Sequence, residues 1–154
     1  MAKKILIVED DKMLCTIFQM FVQELGYEIS GVARTGEDAL RHIDLCPDVD
    51  CILMDIQLDG DLDGISTARL IGQKRWLPVI FVSGTTAPEV VQSAAMSNVY
   101  GFITKPIYRQ NLGVSIEYAC AKCALEKEER GEIKEERGKR KEERLKRKEE
   151  NVIQ

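Results

Sequence analysis

Four aspartates, Asp55, Asp59, Asp61 and Asp63, fall within nine residues of the stretch LMDIQLDGDLDG, Leu53 to Gly64, directly behind a short apolar run. The D-x-D-x-D-G spacing from Asp59 to Gly64 matches the first half of a calcium loop, which needs oxygen ligands at alternate positions and a glycine at a sharp turn. Position twelve of such a loop is Leu70, where a bidentate glutamate should close the shell, so the calcium reading fails in its second half. Asp55 stands apart, because it ends the run Cys51-Ile52-Leu53-Met54. Other polar groups occupy the same kind of position: Glu9, Asp10 and Asp11 follow Ile5 to Val8, Ser83 follows Val79 to Val82, and Lys105 follows Gly101 to Thr104. Acids brought within about 4 Å of one another repel by roughly 4 kcal/mol per pair at an effective dielectric of about 20, and a cation relieves that repulsion. A few hard carboxylate oxygens with room left for water suit Mg2+, and the lysine adds a fixed positive charge. A carboxylate beside Mg2+, a lysine and a hydroxyl donor is what a phosphoryl acceptor needs, because catalysis of that transfer is mostly positioning and neutralising the equatorial oxygens.

The elements that must position these groups are legible as short β-branched runs alternating with amphipathic stretches. The runs Ile5 to Val8, Glu28 to Val32, Cys51 to Met54, Val79 to Val82 and Gly101 to Thr104 read as strands. Between them, Lys12 to Leu25, Glu37 to Leu45, Ile65 to Lys74 and Pro88 to Ser97 read as helices, with a fifth from Tyr108 onward. The pattern is (βα)5, an α/β fold. The first, third and fourth strands are apolar at consecutive positions, which suits a parallel sheet covered on both faces. Ligands in such folds sit beyond the carboxyl ends of the strands, so the groups that follow each run converge on one edge.

The chain has 154 residues and is 44% hydrophobic, enough to fill the core of one full-sized domain. Residues 1–125 carry 11 basic and 16 acidic side chains, whereas residues 126–150 carry 11 basic and 10 acidic ones. The first part is a mildly acidic domain with no electrostatic reason to bind nucleic acid. The second is almost wholly charged yet near neutral, so counterion release gives it little affinity for a phosphate backbone. No segment approaches the roughly 18 apolar residues of a membrane span, and Ile5 to Val8 is too short for a signal peptide, so the expected setting is the cytoplasm. Five cysteines, Cys15, Cys46, Cys51, Cys120 and Cys123, are an odd number without framework spacing and read as reduced core thiols. Cys120-x-x-Cys123 lacks a second ligand pair and falls on a predicted helix, so it reads as structural, and His42 has no second ligand or nucleophile near it in sequence, so it reads as a surface or packing residue.

The stretches ILIVEDD, ILMDIQL, the Asp63-Gly64 pair, VIFVSG and FITKP stand in an order and spacing that resemble the receiver domains of two-component response regulators, over about residues 3 to 123. The resemblance implies a doubly wound parallel five-stranded sheet of flavodoxin-like order 2-1-3-4-5. It implies that Asp55 accepts phosphate from a phosphohistidine, that Glu9 and Asp10 with Asp55 hold Mg2+, that Ser83 bonds the phosphoryl group and that Lys105 pairs with it. Ser83 and Phe102 would form a two-state switch coupling the site to the surface, and Gly84 would leave room for a phosphodonor. Such a domain catalyses only its own phosphorylation and dephosphorylation. Asp11 reads as a helix N-cap. The chain departs from the family in three places: QLDGDLDG has no proline and one residue more than usual, serine replaces the commoner threonine at 83, and Phe102 stands where tyrosine is frequent. The family's Lys-Pro bond is typically cis, and Lys105-Pro106 occupies that position.

Taken singly, Asp55 reads as a cap or loop acid, Ser83 as a turn residue, Lys105 as a solvated charge and Phe102 as core. Four strand ends that each carry the required chemical type favour the phosphoacceptor. The alternatives are a pseudo-receiver, an interaction module that never takes phosphate, and a small phosphatase. The phosphatase would need an acid two residues beyond Asp55, where Gln57 stands. Residues 128–148 repeat every seven as EERGEIK, EERGKRK and EERLKRK, without an apolar seam, which disfavours a coiled coil. Pairs such as Glu135 with Lys139 and Glu142 with Lys146 stabilise a helix by about 0.2–0.5 kcal/mol each. Gly131 and Gly138 oppose them by about 1 kcal/mol each, so a domain over 1–125 is followed by a tail over 126–154 read as a marginal helix or disordered spacer. Nothing after residue 125 reads as an effector, so output is expected through a downstream protein partner.

Overall fold

The computed structural model describes residues 1–97 and 99–153; Asn98 and Gln154, and the side chains of Ile133 and Ile153, lie outside that description. Strands β1 (Lys4–Val8), β2 (Glu28–Ala33), β3 (Cys51–Asp55), β4 (Val79–Ser83) and β5 (Gly101–Thr104) alternate with helices α1 (Lys12–Glu24), α2 (Gly36–Leu45), α3 (Gly64–Lys74), α4 (Pro88–Ala95) and α5 (Arg109–Ile153). Every strand pairing is parallel, and the order is β2-β1-β3-β4-β5. This is the flavodoxin-like doubly wound sheet anticipated above. The chain starts in the middle, moves out to β2, then reverses toward β5, which leaves β1 and β3 adjacent at the point where ligands bind in such sheets.

Consecutive apolar residues make the central strands because both of their faces are covered. Ile5, Leu6, Ile7, Ile52, Met54, Ile80 and Phe81 are completely buried, each stabilising the fold by about 1.5–3 kcal/mol relative to exposure. Alternate side chains serve opposite faces. Leu6, Val8, Ile52, Met54 and Phe81 pack with Ala39 and Ile43 of α2, Ile65, Ala68 and Ile71 of α3, and Ala94 of α4. Ile5, Ile7, Leu53, Ile80 and Val82 point the other way, to the layer in which Phe18 and Val22 of α1 and Leu112, Ile116 and Ala119 of α5 are buried.

Helix starts are set by short polar side chains. Asp11 caps α1, its Oδ1 accepting from the amides of Met13 at 2.9 Å and Leu14 at 3.1 Å, as expected. Asp63 caps α3 through the Ser66 amide at 2.7 Å, which accounts for one aspartate of the acidic loop. The strands run one residue further than the apolar runs, taking in Asp55 and Ser83, because the ladder continues: the Ile56 amide donates to the Val82 carbonyl at 3.0 Å. Helix α4 is shorter than expected and stops at Ala95, where the Ser97 amide turns to the Ala94 carbonyl and its hydroxyl to the Ser93 carbonyl at 3.1 Å. The Lys105-Pro106 bond is cis.

Residues Met1–Ala121 form one compact unit, and the chain from Lys122 onward forms another. The second unit is helix, the continuation of α5 to Ile153. Its glycines, Gly131 and Gly138, have open space where a Cβ would stand, so neither marks a close approach, and the i,i+4 charge pairs offset the helix propensity they forgo.

Gly64 is different, because a Cβ there would lie 2.0 Å from the Asp55 carbonyl oxygen, while the Gly64 amide donates to the Ile56 carbonyl at 2.9 Å. Gly72, inside α3, meets nothing within 4 Å. Gly64→Ala is therefore expected to destabilise the domain by about 1–3 kcal/mol, and Gly72→Ala to stabilise it by roughly 0.5–1 kcal/mol, both measured by urea-induced unfolding.

Candidate functional site

Parallel register brings the strand-end residues together. Val8 pairs with Met54, so the next residues, Glu9 and Asp55, emerge side by side. Ser83 pairs with Thr104, and the Lys105 amide donates to the Ser83 carbonyl at 2.8 Å, which anchors the lysine backbone at the end of the neighbouring strand. The Lys105 side chain lies across β4, with Nζ 3.3 Å from Asp55 Oδ2 and 3.4 Å from Glu9 Oε1. Glu9 and Asp55 are 1% and 3% exposed, so this ammonium is a counter-charge held against nearly buried acids. Asp10 completes the cluster: one oxygen from each of Glu9, Asp10 and Asp55 lies within 4.8 Å of the others.

Backbone amides fix two of these acids. Asp55 Oδ1 accepts from the Gln57 amide at 3.0 Å, and Asp10 Oδ2 accepts from the Asp59 amide at 3.0 Å. Glu9 Oε2 is buried and has no hydrogen-bond partner. Burial, followed by the hydrogen bond and charge of Asp55, pushes the Glu9 carboxyl up to about 8, against the opposing pull of Lys105. Burial works to lower the Lys105 ammonium, but Asp55 and Glu9 outweigh it and raise it. The donors are all hard oxygens, one lacks a partner, and Asp10 is partly open to solvent. That set fits a small divalent cation that keeps part of its water shell.

Glu9, Asp10, Asp55 and Lys105 thus meet as anticipated. The Ser83 hydroxyl is at the adjacent strand end, fully buried and engaged with Thr85: it donates to the Thr85 carbonyl at 3.0 Å and accepts from the Thr85 amide at 3.1 Å. Phe102, paired with Phe81, is half-buried against the α2–α3–α4 side of the core. Three contributors escaped the sequence reading. The amides of Gln57 and Asp59 have no side-chain signature, and Gly64, visible as half of a motif, gave no sign that its carbon sits against Asp55.

The description "Response regulator receiver domain" fits residues 5–117, and the chain belongs to that family, which acts in two-component signalling. It is 28% identical over 120 residues to the transcriptional regulatory protein PdtaR of Mycobacterium tuberculosis, covering 78% of this chain and 58% of that protein. It is 30% identical over 119 residues to the phyllosphere-induced regulator PhyR of Methylorubrum extorquens, covering 77% and 44%. Among solved structures, the signal receiver domain of a modulated diguanylate cyclase from Desulfovibrio desulfuricans G20 superposes with a TM-score of 0.75 at 36% identity, covering 82% of this chain and 99% of that one. The chain therefore spans about half the length of the two regulators. Among the described residues, no helix is long and apolar enough to cross a membrane.

Because the Glu9 carboxyl is raised on folding, its contribution to stability is full below about 4.5 and is lost as pH climbs toward about 8. Thermal unfolding in EDTA is expected to show a midpoint that falls across this window, and Glu9→Gln is expected to flatten the fall.

Proposed function

We propose that the domain takes a phosphoryl group onto Asp55 from the phosphohistidine of a histidine kinase or phosphotransfer protein, in the cytoplasm, and thereby alters a protein-binding surface. The observation that carries this reading is the Lys105 ammonium set 3.3 Å from Asp55 and 3.4 Å from Glu9 at the end of the central strands. An Asp55 carboxylate oxygen attacks phosphorus while the P–N bond breaks and its electron pair leaves on the imidazole nitrogen, giving an acyl phosphate. The Gln57 amide fixes the Asp55 carboxylate through Oδ1, so the nucleophile is oriented before the donor arrives. Gly84 leaves the approach open, since a Cβ there would meet only Gln57 Oε1 at 3.9 Å.

Glu9, Asp10 and Asp55 would hold Mg2+, which when bound supplies neutralisation of the transferring oxygens. Lys105 supplies charge of the same sign from β5 without any ion. The Ser83 hydroxyl reaches the phosphoryl group by giving up Thr85, and Phe102 takes up the space vacated. That coupling carries the signal to the surface of α4, β5 and α5, where a downstream protein reads it. The chain acts on itself and on no outside substrate.

Incubation with Mg2+ and acetyl phosphate, followed by intact mass, is expected to show one added phosphoryl group in the wild type and none in Asp55→Asn. Asp10→Ala is expected to weaken Mg2+ affinity and labelling together by on the order of tenfold or more, since even partners outside a metal's ligand shell contribute about 10–100-fold. A wild-type chain that gains no mass would be a receiver-shaped interaction module instead. Amide exchange with Mg2+ and beryllium fluoride is expected to change between Pro88 and Thr104; changes confined to Asp59–Gly64 would leave the acceptor chemistry without the switch.

A further inference from the structure

Residues 126–150 sum to almost no charge, but the sum conceals a segregation. Residues 137–148 hold eight basic side chains and two acidic ones, while most of the acids stand before and after them. The segment is helix throughout, and at about 100° per residue the charges sort by side. Lys134, Arg137, Lys141, Arg144 and Lys148 follow one another at steps of three and four residues, so they form a continuous stripe within an arc of about 80°. All five are exposed. Arg140 and Arg147 stand beside the stripe on one edge. Glu132, Glu135, Glu136, Glu142 and Glu143 occupy the other side of the helix, the nearest of them about 80° from the edge of the stripe. The seven-residue repeat keeps this order: each copy drifts by only about 20°, so the arginine at its third place and the lysine at its seventh stay in line.

Such a side is complementary to a regular row of negative charges. Guanidinium groups present paired donors that match phosphate oxygens, and a DNA duplex offers one negative charge per about 1.7 Å of its axis. From Lys134 to Lys148 the stripe runs about 21 Å along a helix about 10–12 Å across, which fits a major groove about 12 Å wide with phosphates along both walls. Arg140 and Arg147 on one edge, and Lys134 and Lys141 on the other, then lie toward opposite walls. Two other anionic surfaces fit less well. A membrane needs an apolar face beside the basic one, and Leu145 is the only large apolar residue between Lys134 and Lys148. The acidic side of a second copy is interrupted by Lys139 and Lys146, whereas the stripe contains no acid between its ends.

We propose that the basic side of the α5 tail binds double-stranded DNA through its phosphates, in the major groove and without reading base sequence. The net charge of the tail hides this affinity because counterions are released locally, by the groups that touch the backbone, and the acids on the far side of the helix do not touch it. The surface belongs to the residues from Lys134 onward. It goes beyond the phosphoacceptor reading and does not depend on Asp55, so either can fail without the other.

The test is the fluorescence anisotropy of a short labelled DNA duplex of arbitrary sequence, titrated with the full chain at several salt concentrations. With five phosphate contacts the binding constant is expected to fall roughly 500-fold between about 50 and 200 mM salt, a slope of about −4.5 in log K against log salt. Arg137→Gln together with Arg144→Gln is expected to shrink the fall to roughly 40-fold, because two contacts are lost. Lys139→Gln together with Lys146→Gln removes the same net charge from the acidic side and is expected to leave the fall unchanged. Glutamine is a good helix former, so circular dichroism is expected to show equal helix content in all three proteins. Equal weakening in the two variants would reduce the effect to net charge and overturn the proposal. So would a wild-type slope shallower than about −2, whatever the helix content of the variants. Binding to anionic vesicles without binding to DNA, self-association of the chain in its place, or a duplex RNA held as tightly as the DNA, whose A-form major groove is too narrow for a helix, would each overturn it as well.

Discussion

Two carboxylates that water scarcely reaches cannot share the end of a sheet unless something positive stands between them, and the Lys105 ammonium is that counter-charge for Glu9 and Asp55. Much of the architecture serves this balance. The strand order sets β1 against β3, which makes Glu9 and Asp55 neighbours, and the lysine arrives from β5 by reaching across β4. The lysine can do so because its own backbone is tied to Ser83. Helix α3 must begin hard against the back of Asp55, which is possible only with hydrogen for a side chain at Gly64. Even so the compensation is incomplete, since Glu9 Oε2 remains without a partner and its carboxyl retains a proton well above the usual range.

What could be read beforehand, and what could not, divides along the same line. The central strands were legible because both faces are buried and the apolar run is unbroken. Asp11 was legible because a capping side chain acts within three residues of itself. Asp55 and Lys105 were legible because each follows such a run. Glu9 and Asp10 are adjacent in sequence, yet one is nearly buried and the other half-open, and no local pattern announces that asymmetry: it comes from Lys105, 96 residues away in sequence. The amides of Gln57 and Asp59 were invisible because every residue but proline has one. The acidic loop fails as a calcium loop in sequence, but its actual roles were not legible there: Asp63 is a cap and the Asp59 amide steadies Asp10.

Ser83 links the site to α4, a helix without a side-chain cap. Its hydroxyl holds Thr85 at both backbone groups, and Thr85 Oγ1 in turn accepts from the Ala87 amide at 3.1 Å. Ala87 is the residue before α4, and that helix starts with proline and without any side-chain cap. Displacing the hydroxyl removes two of the bonds that shape this turn, and the eight-residue helix beyond it has little else at its first turn to resist. Helices α1 and α3, each capped by an aspartate, are not exposed to the same disturbance.

The charged end of α5 has a geometry of its own. Its sequence repeats every seven residues on a helix of 3.6 residues per turn, so each copy of the motif is carried onto the next by a shift of about 10.5 Å along the axis and a turn of roughly 20°. Such a surface has no unique origin. A contact geometry offered by the shared EER and closing lysine of EERGEIK recurs at EERGKRK and EERLKRK, which makes the helix nearly degenerate in register: position along it is coded by the fourth, fifth and sixth places of the motif, where Glu132 and Ile133 set the first copy apart and Leu145 the third.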